Sequence, residues 1–379
     1  MAYAPPTVNY SATPNGTYTT LTGVQSVSIS RGKHYYQDPY TQSSCTIELI
    51  PATSYAVPLA IGQFLDVRVA NSATSPCYFS GKIINVERKY AIPYNNGTGY
   101  APEDRFVITA TGGLGGLGTD QKRTYNNSAG LVSDNLALLG LNSGVLINAV
   151  SNGSTNAAQL FTGATLDLFN TLVRTGQFAC DDLDKRRNSD PGDFMAIYAY
   201  PLGTDFSMGI AYGDTGSGQR FKNIEYLSSV QNTFSQVQVV APISSATSSS
   251  GSSPYNVLVY NTLNSSATDV TSLADYLLST LSGQSTPVPF VIQTDSTASD
   301  TFASVAVLPT AANLKSAIGQ TVSIAFRGTT VSATIQGFSI SFGVDRGLIQ
   351  LYFSPSLGTP FTLDSSALGV LDTNRLGFP

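Results

Sequence analysis

"IGQFLDVRV" (residues 61–69) and "IGQTVSIAF" (318–326) share a tripeptide and the pattern that follows it. After each Ile-Gly-Gln, apolar residues alternate in register: Leu65, Val67 and Val69 in the first, Val322, Ile324 and Phe326 in the second. Period-two alternation marks a half-buried strand, because successive side chains of an extended chain point to opposite faces. The flanks agree. A strand ending in Ile50-Pro51 precedes the first copy and one ending in Leu308-Pro309 the second, with nine and eight residues between Pro and Ile. Gly81 opens the next strand twenty residues past Ile61, and Gly337 opens its counterpart nineteen past Ile318. "RFVITAT" (105–111) then matches "GLIQLYF" (347–353). One strand unit is therefore present twice. The first copy carries an extra polar excursion, "AIPYNNGTGYAPED" (91–104), rich in turn residues that offer little to a core. Within it Tyr94, Asn95, Asn96 and Tyr100 are the candidate interface residues.

Further strands surround the first copy. In "VQSVSISRG" (24–32) Val27 and Ile29 alternate with serines, and in "CTIELI" (45–50) Cys45, Ile47 and Leu49 share a face. With "YFSGKIINVERKY" (78–90) and residues 105–111 these make five candidates, enough for a barrel or sandwich of antiparallel strands. "TGGLGGLGTD" (111–120) lacks the Gly-Lys-Ser/Thr of a phosphate loop and reads as a flexible joint. In "TGATLDLFNTLVRTGQFACD" (162–181) Leu166, Phe169, Leu172 and Val173 fall on one helical face, with Gly176 placed to cap the C-terminus. "NTFSQVQVVA" (232–241) resumes strand alternation at Val237 and Val239. "ISSATSSSGSSPY" (243–255) has the composition of a flexible linker. "TDVTSLADYLLSTLSG" (268–283) is an amphipathic helix through Leu273, Tyr276, Leu277 and Leu281, with Gly283 as its cap.

The expected fold class is mainly β: two related β-barrels or sandwiches plus an inserted α+β domain. The expected order is an N-terminal extension (1–17), a first barrel (18–118, with a return strand at about 232–242) and the insertion (119–231). The linker (243–255), a second barrel with its helix (256–355) and a C-terminal tail (356–379) follow.

Composition narrows the function. At 379 residues two to three domains are expected, and 42% hydrophobic residues suffice for real cores. Charged residues are only 11% and the net charge is −5, so no basic face is expected to bind nucleic acid. The densest charged run, "DDLDKRRNSD" (181–190), mixes signs and reads as a solvated turn. Cys45, Cys77 and Cys180 match neither a disulfide framework nor a zinc motif, and Cys45 reads as a buried thiol. The N-terminus "MAYAPPTVNYSATPNG" lacks the cationic start and apolar core of a signal peptide, so synthesis in a cytoplasm is expected. No apolar run approaches the ~18–20 residues of a membrane span, so no membrane insertion is expected. A single histidine, His34 in "RGKHYYQDPY" (31–40), supplies no triad and no second metal ligand, and is expected in an exposed loop. The 24 acidic residues leave glycoside hydrolysis open, but no Trp is present to stack a sugar. The reading is of no enzyme, no catalytic residues, no cofactor and no metal.

Several stretches together resemble the hub proteins at the tail tip of tailed bacteriophages, often called minor tail proteins. "SVSISRGKHYYQDPYTQSSCTIELI" (26–50) is similar to that family's opening strand, Arg-Gly turn and following strand. "IGQFLDVRV" with "CYFSGKIINVERKY" resembles its central strand pair, "SSVQNTFSQVQVVA" (228–241) its return strand, and "ATDVTSLADYLLSTL" (267–281) its helix. "SPSLGTPFTLDSSALGVLDTNRLGFP" (354–379) resembles its tail. The Asn232–Val237 stretch departs from the family's apolar register. The resemblance implies a structural virion protein at the tail tip, synthesised in a bacterial host. It implies a homotrimer, each subunit giving two barrels to a pseudo-sixfold ring around the genome-ejection channel. The implied partners are a distal tail or tail-tube protein above, a central fibre or spike below, and the tape-measure protein. The competing classes are an extracellular adhesin or carbohydrate-binding β-sandwich, favoured by the Tyr-rich "KHYYQDPY" (33–40), and a tail-associated cell-wall hydrolase.

Overall fold

A computed structural model describes residues 5–51, 59–89, 105–119, 124–187, 195–202, 210–214, 218–226, 234–250, 256–282, 289–295, 306–310 and 313–355. Seven strands come first: β1 (Thr7–Ser11), β2 (Thr19–Thr20), β3 (Val24–Gly32), β4 (Ser44–Leu49), β5 (Phe64–Arg68), β6 (Cys77–Lys89) and β7 (Arg105–Thr111). After helix α1 (Gly113–Thr119) come β8 (Tyr125–Asn127), β9 (Gly130–Leu131), α2 (Val132–Ser143), β10 (Val145–Ala149), β11 (Thr155–Asn156) and β12 (Gln159–Phe161). Helix α3 (Thr165–Gly176), β13 (Phe178–Asp182), a 3-10 turn (Lys185–Arg187) and β14 (Met195–Pro201) follow. The remainder is β15 (Ala211–Gly213), β16 (Asn223–Tyr226), β17 (Gln236–Ala241), β18 (Ser244–Ser249), β19 (Val257–Asn261), α4 (Ala267–Leu281), β20 (Pro289–Asp295), β21 (Thr321–Phe326), β22 (Thr329–Phe342) and β23 (Gly347–Pro355). The protein is mainly β with a small α+β insertion, the class that alternation and composition predict.

Two modules with the same strand order stand side by side. The first runs β3-β4-β7-β6-β5 and the second β16-β20-β23-β22-β21. Both start from the same turn. The Gly62 N–H donates to the Ile83 carbonyl at 2.8 Å and the Ile83 N–H to the Gln63 carbonyl at 2.9 Å. Gly319 and Ile335 repeat this at 2.6 Å, and Ile335 and Gln320 at 3.0 Å. The glycines sit at φ 90° and 79°, a left-handed conformation that Gly adopts without steric cost. The ladders then equate Leu65 with Val322 and Val67 with Ile324, all buried.

Two details of the expected alignment are corrected. Opposite Leu65 stands Gly81, but opposite Val322 stands Ala333; Gly337 lies beyond the β22 bulge, at the position of Asn85. The second hairpin turns on Arg327 and Gly328, both with positive φ, whereas residues 69–76 connect β5 to β6. Counting along the chain from one glycine to the next ignored that difference in loop length. Residues 105–111 likewise match 348–354, one residue later than expected, because Thr111 faces Lys82 and Ser354 faces Thr334.

The modules share one sheet, thirteen strands among the described residues, in which the second half of β22 pairs with β3. Neither module closes on itself there, because the strand edge that would close the second is used to join it to the first.

Further corrections follow from pairing that local sequence does not display. The N-terminal extension contains β1, which pairs along all of β5 with Val8 buried. The return strand does not rejoin the first module: β17 pairs with β18 and β19 in a separate three-stranded sheet covered by α4. Much of the Ser-rich linker is strand β18, because β17 offers it a full edge. Residues 257–261 accordingly leave the second module, while β15 and β16, expected in the insertion, join it. The Gly-rich joint is helix α1, with Leu114 and Leu117 buried. Its glycines permit close packing: a Cβ at Gly113 would stand 2.7 Å from Ile197 and one at Gly116 2.6 Å from Val145.

Helices α3 and α4 lie where periodicity places them, burying Phe169, Leu172 and Val173, and Leu273, Leu277 and Leu281. Their caps differ. Gln177, at φ 52°, ends α3, while Gly176 is its last residue and gives room to the Phe178 ring. Ser282 ends α4, and Gly283 lies outside the described residues.

Candidate functional site

Residues able to do chemistry are dispersed or tied into structure. His34 is exposed on the β3–β4 loop and stacks on the Tyr352 ring at 4.1 Å. All three cysteines are buried, and burial raises each thiol's pKa, suppressing the reactive thiolate. Among the described residues no group of three or more His, Cys, Asp or Glu is placed to hold a metal ion.

The charged run 181–190 was expected to be solvated. Its first half is buried instead, with Asp181, Asp182 and Asp184 at 1–3% exposure. Isolated buried charges cost several kcal/mol, so such groups persist only when paired. Arg31, at the end of β3, donates to both carboxylate oxygens of Asp181 and to the carbonyls of Tyr78 and Ala306. Its guanidinium lies 4.7 Å over the Phe338 ring, and Ser316 Oγ donates to Asp181 at 2.6 Å. One arginine thus fastens both modules to the insertion. On β5, Arg68 pairs with Asp66 at 2.6 Å and with Asp184, and donates to the Ser75 carbonyl at 3.0 Å. Asn9 donates to Asp66 at 2.9 Å and Arg186 lies 4.2 Å over the Tyr18 ring, so the N-terminal strand joins this network. Asp182 accepts the Gly113 N–H at 2.8 Å, and burial with nearby Asp181 pushes its carboxyl up to about 6. These are structural clasps, and sequence reasoning missed them because their partners lie up to 275 residues apart.

"KHYYQDPY" is another clasp. Tyr36 and Tyr40 are buried rather than displayed. Tyr36 donates its hydroxyl to Gln177, and Asn170 brackets Tyr40 by accepting its N–H at 2.7 Å and donating to its carbonyl at 3.1 Å. Lys33 is half-buried between the two tyrosine rings and donates to the Tyr36 carbonyl at 2.6 Å. Burial, helped by nearby Arg174, pushes its pKa down to about 7. The aromatic stretch that favoured sugar binding is thus turned inward.

A cavity of about 250 Å³ lies between the end of α3 and the start of α4, lined by Asn152, Thr155, Gln177, Asn264, Asp269 and Tyr276 among others. Two buried acceptors on its walls, Asn264 Oδ1 and Asp269 Oδ1, lack protein donors, and a polar cavity of this size has room for solvent to serve them.

What remains is edge and surface. The second half of β6, Asn85–Lys89, pairs with β7 alone among the described residues and alternates exposed with half-buried. β16 likewise pairs only with β20. Strand β6 leads into the excursion 91–104, and the candidate interface residues Tyr94, Asn95, Asn96 and Tyr100 lie outside the described residues. An unpaired strand edge is a template for another chain.

No family model and no curated protein matches the sequence. The fold recurs in solved structures. The tail protein from Neisseria meningitidis MC58 superposes with a TM-score of 0.62 at 10% identity, covering 94% of this chain and 98% of that one. The 43 kDa tail protein of prophage MuSo2 from Shewanella oneidensis gives 0.56 at 12%, covering 94% and 100%. Prophage tail protein gp18 from Listeria monocytogenes EGD-e gives 0.51 at 9%, covering 91% and 94%. At these identities the likeness is one of fold.

Proposed function

We propose that this chain is a structural, non-enzymatic virion protein of a phage-type tail: a tail-tip hub whose three copies form a ring around the genome-ejection channel. The observation that carries this reading is the duplicated module. A subunit with two equivalent modules lets a threefold ring present six similar units, which suits a junction between a sixfold tube and a threefold fibre or spike. The fold shared with three tail proteins supports the setting. The inward clasps of His34's neighbours and of the acidic run support a structural role for groups that would otherwise be candidates for chemistry. In this reading the partners are a tail-tube or distal tail protein, the central fibre or spike and the tape-measure protein. The excursion with Tyr94, Asn95, Asn96 and Tyr100 makes ring or tail contacts, distinguishing the first module from the second.

Mass measurement and negative-stain imaging of the purified protein at rising concentration test this. Closed three-chain rings are the expected species, and a protein that stays monomeric throughout overturns the proposal. Replacing residues 92–103 by a short Gly-Ser turn is expected to leave the melting temperature nearly unchanged while weakening the ring, since shortening a loop changes closure cost little. Rings that form normally without it would remove the excursion from the interface.

A further inference from the structure

The sheet contains one junction between modules, and the duplication implies a second. In the existing junction the end of β22 lies antiparallel to β3, from Gly337 opposite Gly32 to Phe342 opposite Val27. The first module has its own copy of the β22 end, the stretch Asn85–Lys89 of β6: Asn85 faces Thr109 as Gly337 faces Tyr352, and Lys89 faces Arg105 as Ser341 faces Leu348. The second module has its own copy of β3, which is β16. Ile224 faces Ile292 as Val27 faces Ile47, and Glu225 faces Val291 as Ser28 faces Thr46. Among the described residues these two copies have no ladder partner on their outer sides. The end of β22 is mostly buried, whereas the end of β6 alternates exposed with half-buried residues.

We propose that the missing partner is a second copy of this chain: β16 of one subunit adds antiparallel to the end of β6 of the next. This rests on the ring reading above and names the contact that builds it. The register follows from the internal junction. Ser341 is opposite Ser28 there, so Lys89 of one subunit comes opposite Glu225 of its neighbour. Both Lys89 and Glu225 are exposed, and their opposite charges face each other at the position where the internal junction has two neutral serines. Opposite charges directly across a ladder attract, and like charges there repel.

A second observation agrees. Ile318 is 1% exposed and packs its Cδ1 against Gly32 at the end of β3, in the internal junction. Its counterpart Ile61, at the rim of the edge assigned here to the neighbouring subunit, is 70% exposed. The contact is head-to-tail, so repeated copies close into a ring when the rotation per subunit divides the circle.

Two variants of the full chain test the contact. With Lys89→Cys and Glu225→Cys in one chain, oxidation is expected to give covalent species up to a closed trimer on a non-reducing denaturing gel. The native cysteines are buried and do not compete. Lys89→Glu and Glu225→Lys are each expected to lower the assembly constant about tenfold at low salt, and the double swap to restore it. Both sites are exposed, so the monomer's melting temperature should not move, which separates assembly from folding. Rings of the right mass with no cross-link and no response to the charge swap overturn this junction and leave the ring reading standing. The absence of any ring sinks both.

Discussion

Ile61 and Ile318 begin the same turn, with the same backbone hydrogen bonds and the same left-handed glycine after them, yet one is exposed and the other buried. The difference lies in what surrounds the turn. The Tyr200 hydroxyl donates to the Ile318 carbonyl, and a Cβ on Gly319 would stand 2.5 Å from that of Ala179, so the insertion seals the second turn. Nothing lies within 4 Å of a Cβ on Gly62. The strands that follow reverse the contrast. β5 is buried at every position, Asp66 and Arg68 included, whereas β21 alternates exposed Thr321 and Ser323 with buried Val322 and Ile324. A strand repeated in sequence is thus an interior strand in one module and a half-wet one in the other. Both strands have two ladder partners, so the ion pairs of Arg68 with Asp66 and Asp184 make the difference.

The largest effect expected from this contrast is at Asp66 and its counterpart Ser323. Asp66→Ala removes a partner of buried Arg68 and should cost about 3–5 kcal/mol, while Ser323→Ala, on the wet face, should cost under about 0.5 kcal/mol. Denaturant midpoints of the two variants read the difference, and equal costs would erase the distinction between the strands. The turns give the next. Gly62→Ala pays the left-handed backbone alone, about 1 kcal/mol, whereas Gly319→Ala also forces a side chain against Ala179 and should cost about 1–3 kcal/mol more. Equal destabilisation would mean the insertion does not seal the second turn.

The smallest concerns Lys33, in the clasp that ties the first module to the insertion. Folded, it titrates near 7; unfolded, it titrates in the ordinary lysine range. The folded state therefore binds fewer protons than the unfolded one between those values. The cost of burying the charge is fully present below about 7 and lifts as pH rises. Stability should climb from pH 7 toward 9 by at most about 1 kcal/mol per pH unit, and Lys33→Met should flatten that climb. An unchanged profile in the variant would show that Lys33 is hydrated in the clasp.

The elements legible in sequence were those whose signal is local. Leu65, Val67, Val322 and Ile324 announce strands by alternation, and Phe169, Leu172, Leu273 and Leu277 announce helices by their spacing. Helix α2 was not legible, because its apolar residues surround the axis: Leu136 and Leu139 are buried while Leu138 and Leu141 are exposed. The acidic run was misread because burial of a carboxylate depends on a cation elsewhere, and Arg31 and Arg68 stand 150 and 116 residues from their partners. Of the candidate site, the duplication was visible, but the edges proposed here to join subunits were not.

By itself, then, the sequence determined that this chain is mainly β, that it holds one strand unit twice, and where two of its helices lie. Each follows from side-chain periodicity and turn chemistry acting over a few residues. Only the tertiary structure decided which edges pair. It joined β22 to β3, drew β17 and the Ser-rich β18 into a sheet of their own, and left the end of β6 and β16 with open outer edges among the described residues. Backbone N–H and C=O groups are the same at every residue, so a strand's sequence says that it will pair. Its partner is set by the packing of side chains far away along the chain.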